Sequence, residues 1–156
     1  MKDSDISVKA SEIYFLPIEM RVPLKFGKET STHTTCARAK ITVEDRKGRT
    51  AEGWGETPLS VGWGWPSSLS YAQREDGMKE LCRRLSVDWP AFDESGDPME
   101  VGHVYLRRRL PEMLEDFNAE TGASMPWLAA LICSSAFDLA IHDAFGNLLE
   151  KPTYQT

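Results

Sequence analysis

The 156-residue chain is poor in cysteine and has no excess of positive charge, and each shortage excludes a class of protein. Its three cysteines, Cys36, Cys82 and Cys133, are an odd number and form no C-x-x-C pair. This favours a reduced, cytoplasmic protein over a disulfide scaffold. The chain has 18 basic and 24 acidic residues, which gives a net charge of −6. That sign is wrong for a protein that binds the phosphates of nucleic acid.

Common targeting and catalytic motifs are absent from the sequence as well. The first ten residues include acidic side chains and lack the apolar core of a secretory signal. Asp138, His142 and Asp143 interrupt the apolar stretch near the C-terminus, which argues against contact with lipid. Neither G-W-G tripeptide has the third glycine of a dinucleotide loop, and no P-loop, H-E-x-x-H or G-x-S-x-G motif occurs. We therefore expect no independent active site, no nucleic acid and no membrane partner.

What is present is the composition of one globular domain, with 41% hydrophobic and 27% charged residues. Apolar residues occupy every even position from Tyr14 to Leu24, which predicts a half-buried strand with that face inward. A second alternating run extends from Ala37 to Glu44, and the turn residues 45–48 join it to a third run, Arg49 to Glu56. The three runs predict an antiparallel meander with one wet face.

The second half of the sequence predicts about three helices, so the fold class is α+β. Ser70 and Gln73 fit a capping box, and Asp97 followed by Pro98 fits the next helix start. Pro111 is expected to kink or split that second helix. The first helix has a predicted buried stripe of Met78, Leu81, Cys82 and Leu85.

The last predicted helix, Trp127 to Leu148, is apolar on two opposite faces. One face has small residues such as Ala136, Ala140 and Ala144, and the other has bulkier ones such as Leu139. A helix of this kind is expected to lie between two layers, and residues 150–156 are too few to form the second. We therefore expect a partner on one face, either a missing domain or a second copy in a homo-oligomer.

Three motifs follow one another along the chain: G-x-G-E on the third strand, Asp97-Pro98, and S-A-x-D-x-A-x-x-D-x-x-G on the last helix. In this order they resemble the N-terminal capping domain of the enolase superfamily, in its mandelate racemase and muconate-lactonizing branch. The resemblance covers roughly residues 13–154. One departure is the stretch 149–152, which lacks a glycine that the family often has before the proline. The residues that carry the motifs are Gly53, Gly55, Glu56, Asp97, Pro98, Ser135, Ala136, Asp138, Ala140, Asp143 and Gly146.

The resemblance implies a domain that works with a (β/α)₈ barrel, which needs roughly 250 residues of its own. The superfamily abstracts a proton α to a carboxylate and holds the intermediate on Mg²⁺, in racemases, dehydratases and cycloisomerases. Because those functional groups belong to the barrel, we expect no catalytic residue and no metal ligand in this chain. The implied division is a tail at 1–12, the capping domain at 13–148, and the start of a connection to the missing barrel at 149–156.

By the same resemblance, two loops close over the barrel mouth and select a small carboxylate substrate. We assign them to Lys25–Thr35 and Thr57–Pro66, which are long and rich in small polar or Gly and Trp residues. Within them, His33 either touches the substrate or is merely solvated, and Phe26 either forms an apolar wall or packs on the sheet. Trp63 and Trp65 either line the cavity or pack against the barrel.

Other candidate residues favour structural roles. Glu56 ends a strand, where an acidic side chain is usually a hydrogen-bond acceptor. His142 and Asp143 are neighbours on a helix and point about 100° apart, so they do not readily chelate one ion. The alternative to a capping domain is a free-standing binding or interaction module that kept this fold and lost catalysis.

Overall fold

The computed structural model describes residues 4–26 and 29–156, apart from the side chains of Phe26 and Glu29. Three antiparallel strands form one sheet in the order β1 (Ile6–Phe26), β2 (Glu29–Asp45) and β3 (Thr50–Pro58). The predicted meander is therefore confirmed. The predicted tail at 1–12 is wrong from residue 6 onward, because Ile6 and Val8 are buried and Ile6 pairs with Asp45.

The predicted inward face of β1 is also wrong. Ile13 and Phe15 pack toward the core, opposite Ala39 and Ala37 on β2, whereas Tyr14 is 42% exposed. A register shift after Val8 sets this parity. Both faces of β1 contain apolar residues. The alternation of apolar residues along the sequence therefore separates the two faces but does not show which face meets the core.

The first predicted loop, Lys25–Thr35, is wrong as a loop. Strand pairing continues to the end of β1, where Phe26 lies opposite Glu29. Because β3 pairs with β2 only as far as the Cys36–Pro58 pair, residues 17–26 and 29–35 form a two-stranded extension, called here the distal ribbon. The small polar residues that suggested a loop include several threonines, which are β-branched and favour strands.

The described residues form five α-helices: α1 (Val61–Gly64), α2 (Tyr71–Asp88), α3 (Pro98–Val104), α4 (Leu110–Thr121) and α5 (Trp127–Leu148). Helices α5 and α2 pack against the sheet, and the other three pack against these two helices or their neighbours. Both predicted helix starts are confirmed as capping boxes. Ser70 Oγ accepts from the Gln73 N–H, and the Asp97 carboxylate accepts from the Met99 and Glu100 N–H groups. The predicted stripe on α2 is buried.

The break predicted at Pro111 takes the form of a π-helical turn just before it. Residues Tyr105–Arg109 adopt this turn and join α3 to α4 without an interruption. Tyr105 is fully buried there, stacked on Trp89 with ring centroids 3.7 Å apart, and its hydroxyl donates to Asp88. Arg109 donates to the same carboxylate. Burial is the largest cause that raises the pKa of Tyr105, and the negative charge of Asp88 adds to it.

Helix α5 packs between β3 and α2, so both of its layers come from this chain. Ala136, Ala140 and Ala144 are fully buried. Opposite them on β3 are Gly53 and Gly55, where an added Cβ would clash with the α5 backbone. The prediction that an apolar α5 face needs a layer from outside is therefore wrong for the alanine face. The larger side chains of α5 that stay exposed are Trp127, Leu128 and Leu139.

By length and composition alone, α5 is apolar enough to cross a membrane, and it is the one such helix within the described residues. Just over half of its most apolar window is buried inside the fold, as in the core helix of many soluble proteins.

Candidate functional site

The distal ribbon and the α1 segment meet around a cavity of about 410 Å³. Apolar side chains of Met20 and Leu24 come from the ribbon, and those of Val61 and Trp63 come from the α1 segment. Polar side chains also line the cavity: Ser31, His33, Thr34, Ser60 and Tyr71. The two segments that the sequence assigned to substrate selection thus share one cavity. This volume is within the range of sites that hold small molecules.

His33 enters the cavity from β2, where it lies opposite Glu19 of β1. Its ring is exposed and makes an edge contact with Tyr71, with ring centroids 5.5 Å apart. Its Nδ1 lies 3.3 Å from Thr32 Oγ1. His33 therefore has a defined position beside an aromatic ring, and it is the one imidazole among the described residues that line this cavity.

Glu75 of α2 lines a neighbouring cavity, which His33 also lines. Its carboxylate accepts from Thr35 Oγ1 at 2.8 Å and pairs with Lys79 at 2.9 Å. Burial alone would raise the pKa of Glu75, but these hydrogen bonds and the positive charge of Lys79 outweigh burial and lower it. Glu75 is therefore ionised at neutral pH and already has partners.

The two tryptophans of the α1 segment have opposite environments. Trp63 is 54% exposed and lines the cavity, as one of the two sequence interpretations proposed. Trp65 is 1% exposed, so its selection as a substrate-facing residue is wrong. Its ring packs beside Gly77, and its carbonyl accepts from buried Arg74. The side chain of the fourth candidate, Phe26, lies outside the described residues.

Sequence reasoning missed Met20, Leu24 and Tyr71 as lining residues. Met20 and Leu24 belong to the alternating apolar face that was expected to meet the core. Tyr71 follows the Ser70 cap at the start of α2. Its place five residues after Pro66, which ends the Trp-rich segment, was the available signal, but this stretch was interpreted only as a capping box.

A larger cavity, of about 820 Å³, lies between β3, α5 and the C-terminal residues. Two polar groups of α5 hydrogen-bond to β3 near this cavity. Asp143, which lines the cavity, accepts from the Trp54 N–H at 2.9 Å, and Asn147 donates to the Glu52 carbonyl at 2.9 Å. The structural role predicted for Asp143 is thereby confirmed. Glu56 likewise accepts from Arg38 at 2.7 Å, as expected of a structural acceptor.

No group of three His, Cys, Asp or Glu side chains that could hold a metal occurs in residues 4–26 and 29–156. A Mg²⁺ ion needs several oxygen ligands around one point. The described residues therefore do not fit a Mg²⁺ ion.

No protein-family model matches the sequence, and neither does any curated protein. Solved structures do match. L-Talarate/galactarate dehydratase from Salmonella typhimurium LT2 is similar with a TM-score of 0.51 and 13% identity, over 97% of this chain and 32% of the dehydratase. Dipeptide epimerase from Enterococcus faecalis V583, complexed with Mg and L-Leu-L-Tyr, is similar with a TM-score of 0.48 and 13% identity, over 96% of this chain and 34% of the epimerase.

This chain spans about a third of the length of these structures. The part of the chain that the structure describes contains the sheet and helices and no (β/α)₈ barrel. At such low identity the likeness establishes the fold alone. The resemblance is confirmed at that level, because the α+β arrangement of this chain recurs within about a third of L-talarate/galactarate dehydratase.

Proposed function

We propose that this chain is the capping and substrate-specificity domain of an enolase-superfamily enzyme, which removes the proton α to a carboxylate in a Mg²⁺-dependent dehydration, racemisation or cycloisomerisation. Its partner is a (β/α)₈ barrel, and the chain alone is not catalytic. The observation that carries the proposal is that His33 and Trp63, chosen from two separate segments, line one cavity. A cap with such a cavity excludes water from the substrate and contacts its distal end.

A free-standing binding module is the second candidate, and the packing of α5 favours it. Both layers around α5 come from this chain, so the fold has its own core and does not need a barrel to cover the alanine face. The two candidates predict different native polypeptides. A capping domain continues into a barrel, whereas a module is complete without one.

The size of the native polypeptide tests these alternatives. An antibody raised against the 17.5 kDa chain should detect a protein about three times as long, since the chain spans about a third of its structural neighbours. The coding sequence beyond Thr156 should encode strands that end in K-x-K, D, E and E. A native product of 17.5 kDa with no such reading frame would overturn the capping proposal and support the module.

The chain alone should neither exchange the α-proton of a carboxylate in deuterated water nor bind Mg²⁺ in calorimetry. The physical reason is that its described acidic side chains do not converge on one point. Stoichiometric Mg²⁺ binding at micromolar affinity would contradict this and indicate an independent enzyme.

The proposal includes a reducing, cytoplasmic location and self-association. The three cysteines are free and buried, which supports the location.

Self-association is supported by the exposed α5 residues Trp127, Leu128 and Leu139. Leu139→Glu places a charge on this surface and should lower the sedimentation coefficient to that of a monomer. Ala136 and Ala140 are unsuitable positions for such a test because both are buried against β3. A wild-type monomer at high concentration would contradict self-association.

A further inference from the structure

We infer that the cavity between the distal ribbon and α1 receives an uncharged, apolar group of the substrate, an aryl or branched alkyl substituent, and not a second carboxylate or a polyhydroxy chain. The inference rests on the proposed function, because it takes the substrate to be a carboxylate. The position of the cavity does not show which class of substrate it binds, and the inference takes that class from the residues that line it.

The first observation is the chemistry of the cavity walls. Met20 and Leu24 line one side and Trp63 the other, and Leu24 and Trp63 are 59% and 54% exposed. No Asp, Glu, Lys or Arg is among the described residues that line the cavity. A substrate carboxylate normally meets an Arg or Lys side chain or several N–H donors, because burying an unpaired charge is costly.

The second observation is that the charged groups near His33 are already paired. Glu75 and Lys79 line a neighbouring cavity, which His33 also lines, and they bind each other at 2.9 Å. Glu75 also accepts from Thr35 Oγ1. A substrate carboxylate at His33 would therefore have to compete with Glu75 for Lys79, whereas an aryl or alkyl group needs no cation.

The third observation is that aromatic side chains line the cavity. Trp63 offers a large exposed ring, and Tyr71 lies beside His33. Aromatic side chains bind aryl groups by stacked or edge contacts. The hydroxyls of Ser31, Thr34, Ser60 and Tyr71 are too few to replace the water around a polyhydroxy chain along its length.

The test uses the full chain and three carboxylate probes that differ in the remaining group: phenylacetate has an aryl ring, glutarate a second carboxylate and gluconate a polyhydroxy chain. Saturation-transfer NMR measures which probe protons receive magnetisation from the protein, and a titration gives each dissociation constant. Phenylacetate should bind in the millimolar range through its ring protons. Glutarate and gluconate should bind at least about fivefold more weakly.

Three variants locate the binding. Trp63→Ala should weaken phenylacetate about fivefold. Trp127→Ala is the matched control, since Trp127 is similarly exposed at 42% and lies outside the cavity, so it should leave the dissociation constant of phenylacetate unchanged. Leu24→Lys adds a cation at an exposed position and should reverse the preference in favour of glutarate. Circular dichroism confirms that each variant is folded.

The inference is overturned if glutarate or gluconate binds wild type as well as phenylacetate does, if Trp63→Ala leaves phenylacetate unaffected, or if no probe binds. None of these results changes the length of the native polypeptide, so the capping proposal is judged separately. Conversely, aryl binding by a native product of only 17.5 kDa would retain the cavity assignment and reject the capping role.

Discussion

The α5–β3 interface and the cavity at the distal ribbon are built in opposite ways. At the interface the side chains are minimal: Gly53 and Gly55 of β3 face alanines of α5, so the backbones of the strand and the helix lie close together. Around the cavity, large side chains such as Trp63 and Leu24 remain exposed. The first region allows little substitution because its space is already filled. The exposed side chains around the cavity contribute little to the stability of the fold, so they can vary with the ligand that the cavity binds.

The largest expected effect breaks the close interface. Gly55→Ala should lower the free energy of unfolding by about 3 kcal/mol, because its Cβ would lie 2.6 Å from the backbone nitrogen of Ala140. Urea denaturation measures this. Gly48→Ala is the control: Gly48 has a φ of 77° and no atom near an added Cβ, so only strain of about 1 kcal/mol is expected. Equal losses in the two variants would contradict a clash at Gly55.

A smaller effect is expected at the polar end of the same interface. Asp143→Ala should lower the free energy of unfolding by about 1–2 kcal/mol, because the Trp54 N–H on the edge strand loses its acceptor. Asp143→Asn keeps an acceptor oxygen and should lose less than half as much. If the two variants unfold at the same urea concentration, the charge of Asp143 matters and its hydrogen bond does not.

The pH dependence of stability sharpens the comparison on the ribbon side. The folded-state pKa of Glu75 is below its ordinary value of 4.5, so its stabilising contribution is present above that pH and is lost as the pH falls below it. Glu75→Gln should be less stable than wild type at pH 7, and the difference should shrink toward pH 3. Thermal unfolding across this range measures the effect. A constant difference would mean that ionisation of Glu75 is irrelevant.

The smallest effect is expected at the cavity. Trp63→Ala should change the free energy of unfolding by less than about 0.5 kcal/mol, because more than half of the side chain is already exposed. Trp65→Ala, two residues away and buried, should cost roughly 3–5 kcal/mol. A large loss at Trp63 would mean that this residue belongs to the core and would remove the contrast between the two regions.

The helices were predictable because their signals are local. Ser70 with Gln73 and Asp97 with Pro98 mark helix starts within four residues, and both are capping boxes in the structure. The parity of β1 was not predictable, since it depends on a register shift against β2. Of the candidate site residues, His33 and Trp63 share a cavity and Trp65 does not.

By itself the sequence determined the α+β order, the caps and the likeness of the fold to an enolase-superfamily domain, because these depend on residue types at short spacings. Only the tertiary structure decided which glycines and alanines meet, which tryptophan is buried, and that Met20, Leu24 and Tyr71 join His33 at one cavity. The physical reason is that these contacts join residues far apart in the chain, and strand register and helix packing bring them together.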